Sequence, residues 1–291
     1  MEEGWFERDG VDLHYLEWKP EDEAEPGTPI LLLHGLSSNA RYWERVANRL
    51  PHRHLVALDQ RAHGLTGRGD RAPRFPDGYA MQELVEDVCA LAARLRLDHP
   101  VVAGHSWGAT VALEVVGSRP EVASALVFID GPVQSPANLF SWDDAQKFMQ
   151  PPLPRYAGIA DAIADSRNDF KEAWGDDLAS FVEARVMPEG DALVLTLTAP
   201  VRLELLHGLY HSQPDILWSH VSVPALVLRA RQGFGRFSRS IDDAIEKLHE
   251  IAPDVEVKSL DSPHDVPLYL PAEVAAEIDR MARSASQKVS S

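Results

Sequence analysis

Short apolar runs and longer amphipathic stretches alternate along most of the chain. The runs in PILLLHG, HLVALDQR, PVVAGHS, ALVFIDG, PALVLRA and VEVKSLD have strand length. Several are apolar for four residues in succession, which suits strands buried on both faces of a sheet. Ahead of them, WFERDGVDLHYLEW carries Asp9-Gly10 between two half-alternating runs and predicts a hairpin. Helical periodicity covers residues 42–50, 81–95, 106–118, 240–249 and 271–282, the last opening on a proline suited to a first helical position. Strands that alternate with helices in this way predict an α/β fold, with a mostly parallel central sheet and helices on both of its faces.

The alternation stops between residues 132 and 223. This segment mixes aromatic-bearing helical stretches with Pro151, Pro152 and Pro154, which must break any helix they meet. The expected organisation is one core domain built from residues 1–131 and 224–291, with residues 132–223 inserted as a helical cap. Open α/β sheets bind ligands at the C-terminal edge of their strands, so an insertion there would roof the site. EDEAEPGTP reads as an acidic loop and SASQKVSS as a frayed tail.

Composition narrows the choice of partner. Apolar residues make up 45% of the 291, ample for a large core, and a net charge of −17 would repel nucleic acid and anionic membranes. Cys89 is the single cysteine, so no disulfide closes within the chain. The acidic start MEEGWFERDG lacks the apolar region of a signal peptide, and no apolar stretch approaches a membrane span. A soluble cytoplasmic protein is expected, with neither nucleic acid nor membrane as partner; nothing in the sequence sets its oligomeric state.

The candidate chemistry centres on Gly104-His105-Ser106-Trp107-Gly108. A buried strand that becomes a helix within a few residues crowds its backbone, and glycines two before and two after the apex relieve that crowding. Such a turn leaves the Ser106 hydroxyl alone at its tip, although a serine there could also simply cap the helix. To attack an acyl carbon it needs a base, an acid to orient the base, and donors for the oxyanion. Of the 12 histidines, His264 follows the last strand-like run and precedes the last helix, which brings its loop to the edge where Ser106 stands. His34-Gly35 ends a buried strand, so the N–H of Leu36 can face the site, with the N–H of Trp107 as second donor. His207 and His211 have the i, i+4 spacing of a metal pair, but no further ligand at matching spacing completes a site, so no metal is expected.

In the order of these features, an HG after a buried strand, GHSWGA at the turn, a helical insertion and a late histidine in SPHDVPLYLPAEV, the chain resembles the α/β-hydrolase superfamily over essentially its whole length. It is similar to the esterase, epoxide-hydrolase-like and lactonase branches. Two positions depart from the common pattern. Where many members have D-x-R-G-x-G-x-S, this chain has Asp59-Gln60-Arg61-Ala62-His63-Gly64-Leu65-Thr66 and loses a glycine at Ala62. The loop after the seventh strand, which commonly carries the acid, has no Asp or Glu in RARQGFGRFSRS. Other members carry the acid after the sixth strand, where this chain has Asp130, and the resemblance implies that role for it. Asp261 and Asp265 flank His264 on one short loop and are poorly placed to reach its ring.

The resemblance implies a cofactor-free serine hydrolase that cleaves carboxylic esters through an acyl-enzyme on Ser106. Relatives with an aspartate nucleophile open epoxides or displace halide, which Ser106 argues against. The same triad would serve a lactonase or a C–C bond hydrolase, because the cap decides the substrate. A ligand receptor that retains a slow hydrolytic site is the non-enzyme alternative, and would stall after about one turnover. Trp142, Phe148, Met149, Trp174, Phe181 and Tyr210 of the insertion, with Trp43 and Trp107 below, suggest a hydrophobic pocket for an uncharged ester or lactone.

Overall fold

The computed structural model describes residues 1–20, 27–68, 72–232 and 238–289. Strands β1 (Glu2–Arg8) and β2 (Val11–Trp18) form the expected hairpin, and both Asp9 and Gly10 take positive φ, +50° and +80°. That pair of left-handed residues matches the twist of the two strands, with Arg8 opposite Val11. The remaining core strands are β3 (Ile30–Leu33), β4 (Leu55–Leu58), β5 (Val101–His105) and β6 (Ala125–Ile129). Beyond residue 223 come two more, at Ala225–Ala230 and Glu256–Leu260. The first four of these and the Ala225–Ala230 strand open on buried aliphatic residues.

Among the described residues the main sheet has eight strands. From one edge it runs β1, β2, β4, β3, β5, β6, then Ala225–Ala230 and Glu256–Leu260; the pairs β1–β2 and β2–β4 are antiparallel and all others parallel. Both faces are covered. Leu31 and Leu33 of β3 pack into one apolar cluster, Ile30 and Leu32 into the other, as the two-residue period of a strand requires. Helix α1 (Glu44–Ala47) and a C-terminal helix at Pro271–Val289 contribute to the second cluster, while α2 (Met81–Leu95) and α3 (Trp107–Ser118) contribute to the first.

Residues 132–223 contain α4 (Trp142–Met149), α5 (Ile159–Phe170), α6 (Ala179–Arg185), α7 (Ala199–His211) and α8 (Pro214–His220). They are not helical alone. Strands β7 (Arg155–Tyr156), β8 (Val186–Glu189) and β9 (Ala192–Leu195) pair as a small antiparallel sheet, in the order β7, β9, β8. The β8–β9 turn is set by Gly190 at φ +65°, a conformation a glycine adopts without steric cost. The prolines do act as breakers, since α4 stops at Met149 ahead of Pro151.

The core strands after this segment are accordingly β10 (Ala225–Ala230) and β11 (Glu256–Leu260), followed by α9 (Ser238–Ile251), α10 (Val266–Tyr269) and α11 (Pro271–Val289) in their places along the chain. Two helices depart from their expected bounds. The periodic stretch at 42–50 is a 3-10 turn, Ala40–Trp43, followed by the single turn α1; Asn39 accepts the Arg41 N–H and fixes its start. Helix α11 runs on through most of the stretch read as a frayed tail. Ala285 there is buried, and the Ser286 hydroxyl lies 2.7 Å from that of Thr28, which ties the last turns to the core. Part of the EDEAEPGTP loop and of the stretch after β10, residues 21–26 and 233–237, lie outside the described residues. Among the described residues no helix is long and apolar enough to cross a membrane.

Candidate active site

Ser106 sits between β5 and α3 with φ +56° and ψ −121°, a backbone conformation rare for a residue with a side chain. Its N–H donates to the Ile129 carbonyl at 2.8 Å. Its hydroxyl makes no capping bond to α3, so the role of a simple helix cap does not describe it. The two flanking glycines are required by contact. A Cβ at Gly104 would fall 2.2 Å from the Gly108 carbonyl oxygen, and one at Gly108 2.3 Å from the carbonyl oxygen of His34. Both obstacles are backbone and cannot rotate away. Gly104→Ala is therefore expected to destabilise the fold by about 3 kcal/mol or more, read as a fall of roughly 5–10 °C in thermal midpoint. An unchanged midpoint would mean that the turn is looser than its geometry indicates.

The structure brings the three side chains singled out in the sequence into one chain of contacts. His264 Nε2 lies 2.9 Å from Ser106 Oγ, and His264 Nδ1 lies 2.6 Å from Asp130 Oδ2. Asp130 follows β6 at φ +46°, and its other oxygen, Oδ1, accepts the N–H of Ala230 at 2.9 Å. Strand β10 thus supplies a backbone donor that holds a carboxylate from its neighbour. Desolvation alone would lower the pKa of His264. The hydrogen bond to Asp130, the charge of Asp130 and that of Asp265 outweigh it, so the imidazole stands above its ordinary value. The other two aspartates of this loop are engaged elsewhere: Asp261 accepts from Gln232 Nε2 at 2.9 Å, and Asp265 accepts the Tyr42 hydroxyl at 3.1 Å.

The loop carrying Leu36 runs beside the nucleophile. A Cβ at Gly35 would come within 3.3 Å of Ser106 Cβ, and Trp107 is the first residue of α3. Several groups that the sequence did not single out hold this loop. The Ser37 N–H donates to His63 Nε2 at 3.0 Å, and His63 Nδ1 in turn donates to the Arg61 carbonyl at 2.8 Å. This pattern needs a neutral ring, and burial, reinforced by the nearby His34, drives the His63 pKa down to about 3. Arg202 of α7 donates to the Ser37 hydroxyl. Ala62, where many members of the resembled family have glycine, keeps the turn at φ +68°. Asp59 clamps that turn, accepting from Ala40 N, Leu65 N and His14 Nδ1 at 2.6 to 2.8 Å. His105 points away from Ser106. Its Nε2 donates to the His264 carbonyl at 2.9 Å, which tethers the backbone of the base, and its ring stacks on Tyr42.

Two cavities meet at Ser106 and His264. One, about 300 Å³, is apolar and lies toward residues 131–149, with Val133, Leu139, Phe140, Met149 and Leu209 on its walls. The other, about 320 Å³, is polar, bounded by Leu36, Ser37, Tyr42, Asp169, Arg185 and Asp265. Of the aromatic and apolar residues expected to line a pocket, Met149 and Trp107 border the apolar cavity and Phe181 the polar one. Trp43, Trp142, Trp174 and Tyr210 border neither; Trp43 is fully buried in the core, and Trp142 packs against His207 and Tyr210. The side chain of Phe148 lies outside the described residues. His207 and His211 stand with ring centroids 4.3 Å apart beside Trp142, and among the described residues no group of three or more potential ligands is arranged to hold a metal.

Comparison with known proteins bears on the same region. A family model described as the alpha/beta hydrolase family matches residues 30–277. The chain is 29% identical to the lipase LipV of Mycobacterium tuberculosis over 92% of its own length and 97% of that protein's. It is 28% identical to N-formylmaleamate deformylase of Pseudomonas putida, over 87% and 85% of the two chains. Among solved structures, the thioesterase domain from the curacin biosynthetic pathway superposes with a TM-score of 0.77 at 18% identity, covering 96% of this chain and 99% of that one. With a matched span that contains the β5–α3 turn, the parallel-paired strands β3 to β6, β10 and β11, and the His264 loop, the chain belongs to the alpha/beta hydrolase family.

Proposed function

We propose that the protein is a serine hydrolase that cleaves carboxylic esters through an acyl-enzyme. The observation that carries this reading is the bridging position of His264, in hydrogen-bond reach of both the Ser106 hydroxyl and the Asp130 carboxylate. Ser106 Oγ attacks the acyl carbon while His264 Nε2 takes its proton. The N–H groups of Leu36 and Trp107 receive the oxyanion, the second from a helix N-terminus. His264 then protonates the leaving alcohol, and water repeats the sequence to release the acid. No step calls for a metal or cofactor. Residues 132–223 act as the cap, because their side chains Val133, Leu139, Phe140 and Met149 wall the apolar cavity above the nucleophile. That cavity suits the apolar part of the substrate.

A panel of chromogenic esters and lactones of graded chain length tests this. Sustained turnover of esters, many cycles per protein molecule, is expected; a single burst would favour a receptor, and turnover of lactones alone would move the substrate class. The pH profile adds a second check. The base works only when neutral, and the pKa of His264 is raised, so kcat/KM should climb with pH through a limb above the roughly 6.5 of a free imidazole. A limb well below that value would mean that His264 is not the group titrating.

A further inference from the structure

Among the described residues, the polar cavity contains a cation with no hydrogen-bonded or ion-paired side-chain partner. Arg185 ends α6 with its guanidinium 5.4 Å from the centroid of the Phe181 ring, and its Nε is closed off from solvent with no hydrogen-bond partner. Among the described residues, no hydrogen bond or ion pair involves its side chain. Burial lowers its pKa, which reports the cost of holding this charge away from water. Arg202 stands near enough for the Arg185 charge to lower its pKa as well, but Arg202 is engaged with Ser37 and the Met149 carbonyl.

Three carboxylates lie in the neighbourhood, and none neutralises Arg185 by contact. Asp169 borders the cavity from an exposed position, where water screens it. Asp265 accepts the Tyr42 hydroxyl, and Asp165 accepts the Tyr156 hydroxyl at 2.7 Å. A half-buried guanidinium whose enclosed Nε has no hydrogen-bond partner is costly unless a ligand completes it. Its planar fork matches a carboxylate in two parallel hydrogen bonds. A doubly charged phosphate would be opposed by Asp169 and Asp265, so a single negative charge fits better.

We propose that the polar cavity receives a carboxylate carried by the substrate, with Arg185 as its anchor. The hydrolysed ester is then anionic at one end and apolar at the other, spanning both cavities across Ser106. This revises the uncharged ester expected from the sequence, and it rests on the hydrolase reading given above.

Two matched pairs test it: 4-nitrophenyl hemiglutarate against its methyl ester, and 3-carboxyphenyl butanoate against its methyl ester. They place the carboxylate on the acyl and the alcohol side respectively. In at least one pair the acid should be preferred by about ten- to hundredfold in kcat/KM, the range of one or two charge-assisted hydrogen bonds. Arg185→Met should collapse that ratio by about tenfold or more, and Arg185→Lys should retain part of it. A parent protein that prefers the neutral member of both pairs would overturn the proposal, as would an unchanged ratio in Arg185→Met. Glutarate binding to Ser106→Ala protein, followed by calorimetry, separates this from a failure of the hydrolase reading. If no ester is turned over, binding that weakens at least about tenfold on adding Arg185→Met upholds the anion site. Absent or unaltered binding removes it.

Discussion

Asp130→Asn is expected to lower kcat about ten-thousandfold while leaving the protein folded, the size of loss seen when the triad acid is amidated in an unrelated fold. The geometry shows why the loss should be so large. Asp130 Oδ1 is fixed by the Ala230 N–H, a donor that only an oxygen can satisfy. An asparagine must therefore give its oxygen to Ala230 and turn its NH₂ toward His264 Nδ1. Two donors cannot face each other, so the ring takes the tautomer with its proton on Nε2, and the nitrogen that should accept from Ser106 is occupied. The same change removes the two Asp130 interactions that raise the His264 pKa and leaves only the Asp265 charge against the desolvation that lowers it, so residual activity should show its rising limb at lower pH than the parent. Asp261→Asn and Asp265→Asn, whose carboxylates meet Gln232 and Tyr42, should each stay within about tenfold. Kinetics on the three variants, with circular dichroism to establish folding, decides the matter. An Asp130→Asn protein within tenfold of the parent would take the acid's role away from this residue.

Ser106→Ala should reduce turnover by at least about a thousandfold, since no other group supplies the covalent step. The fold should be indifferent to the change. Alanine keeps the Cβ, so the backbone at φ +56° is no more strained than before, and the N–H bond to Ile129 is retained. What disappears is the 2.9 Å contact with His264. An alanine variant with a lowered thermal midpoint and unchanged turnover would reverse the assignment of Ser106 from chemistry to structure.

The parts of this site that are legible in the sequence are those dictated by neighbours along the chain. The turn at GHSWG is one, because the collisions that demand Gly104 and Gly108 are with backbone only a few residues away or on the adjoining strand. The hairpin at Asp9-Gly10 is another. Asp130 is harder. It becomes visible only because RARQGFGRFSRS lacks a carboxylate and a resembling family offers a second position, while the Ala230 N–H that fixes it belongs to a strand 100 residues on. His63 and Arg202 give no local signal, since each acts on Ser37 across the fold. Arg185 is equally silent: in SFVEARVMPEG it reads as one more helical arginine, and its meaning arises when the end of α6 meets the loop after β3. The strands β8 and β9 escape notice because four-residue runs within a helical segment carry too little period to read. The aromatic residues mislead in the opposite direction. Size and apolarity suggest a pocket wall, yet Trp43 and Trp142 are spent on packing, and smaller residues such as Val133 and Leu139 line the cavity instead.

The most direct test is covalent. A fluorophosphonate transfers its phosphonyl group to an activated serine hydroxyl and loses fluoride, so peptide mass spectrometry after labelling identifies the nucleophile without knowledge of the natural substrate. One stoichiometric adduct is expected on the peptide containing Ser106, formed faster as pH rises through the His264 limb, and abolished in Ser106→Ala. An adduct on another residue, or an unlabelled protein that nevertheless hydrolyses esters, would contradict it.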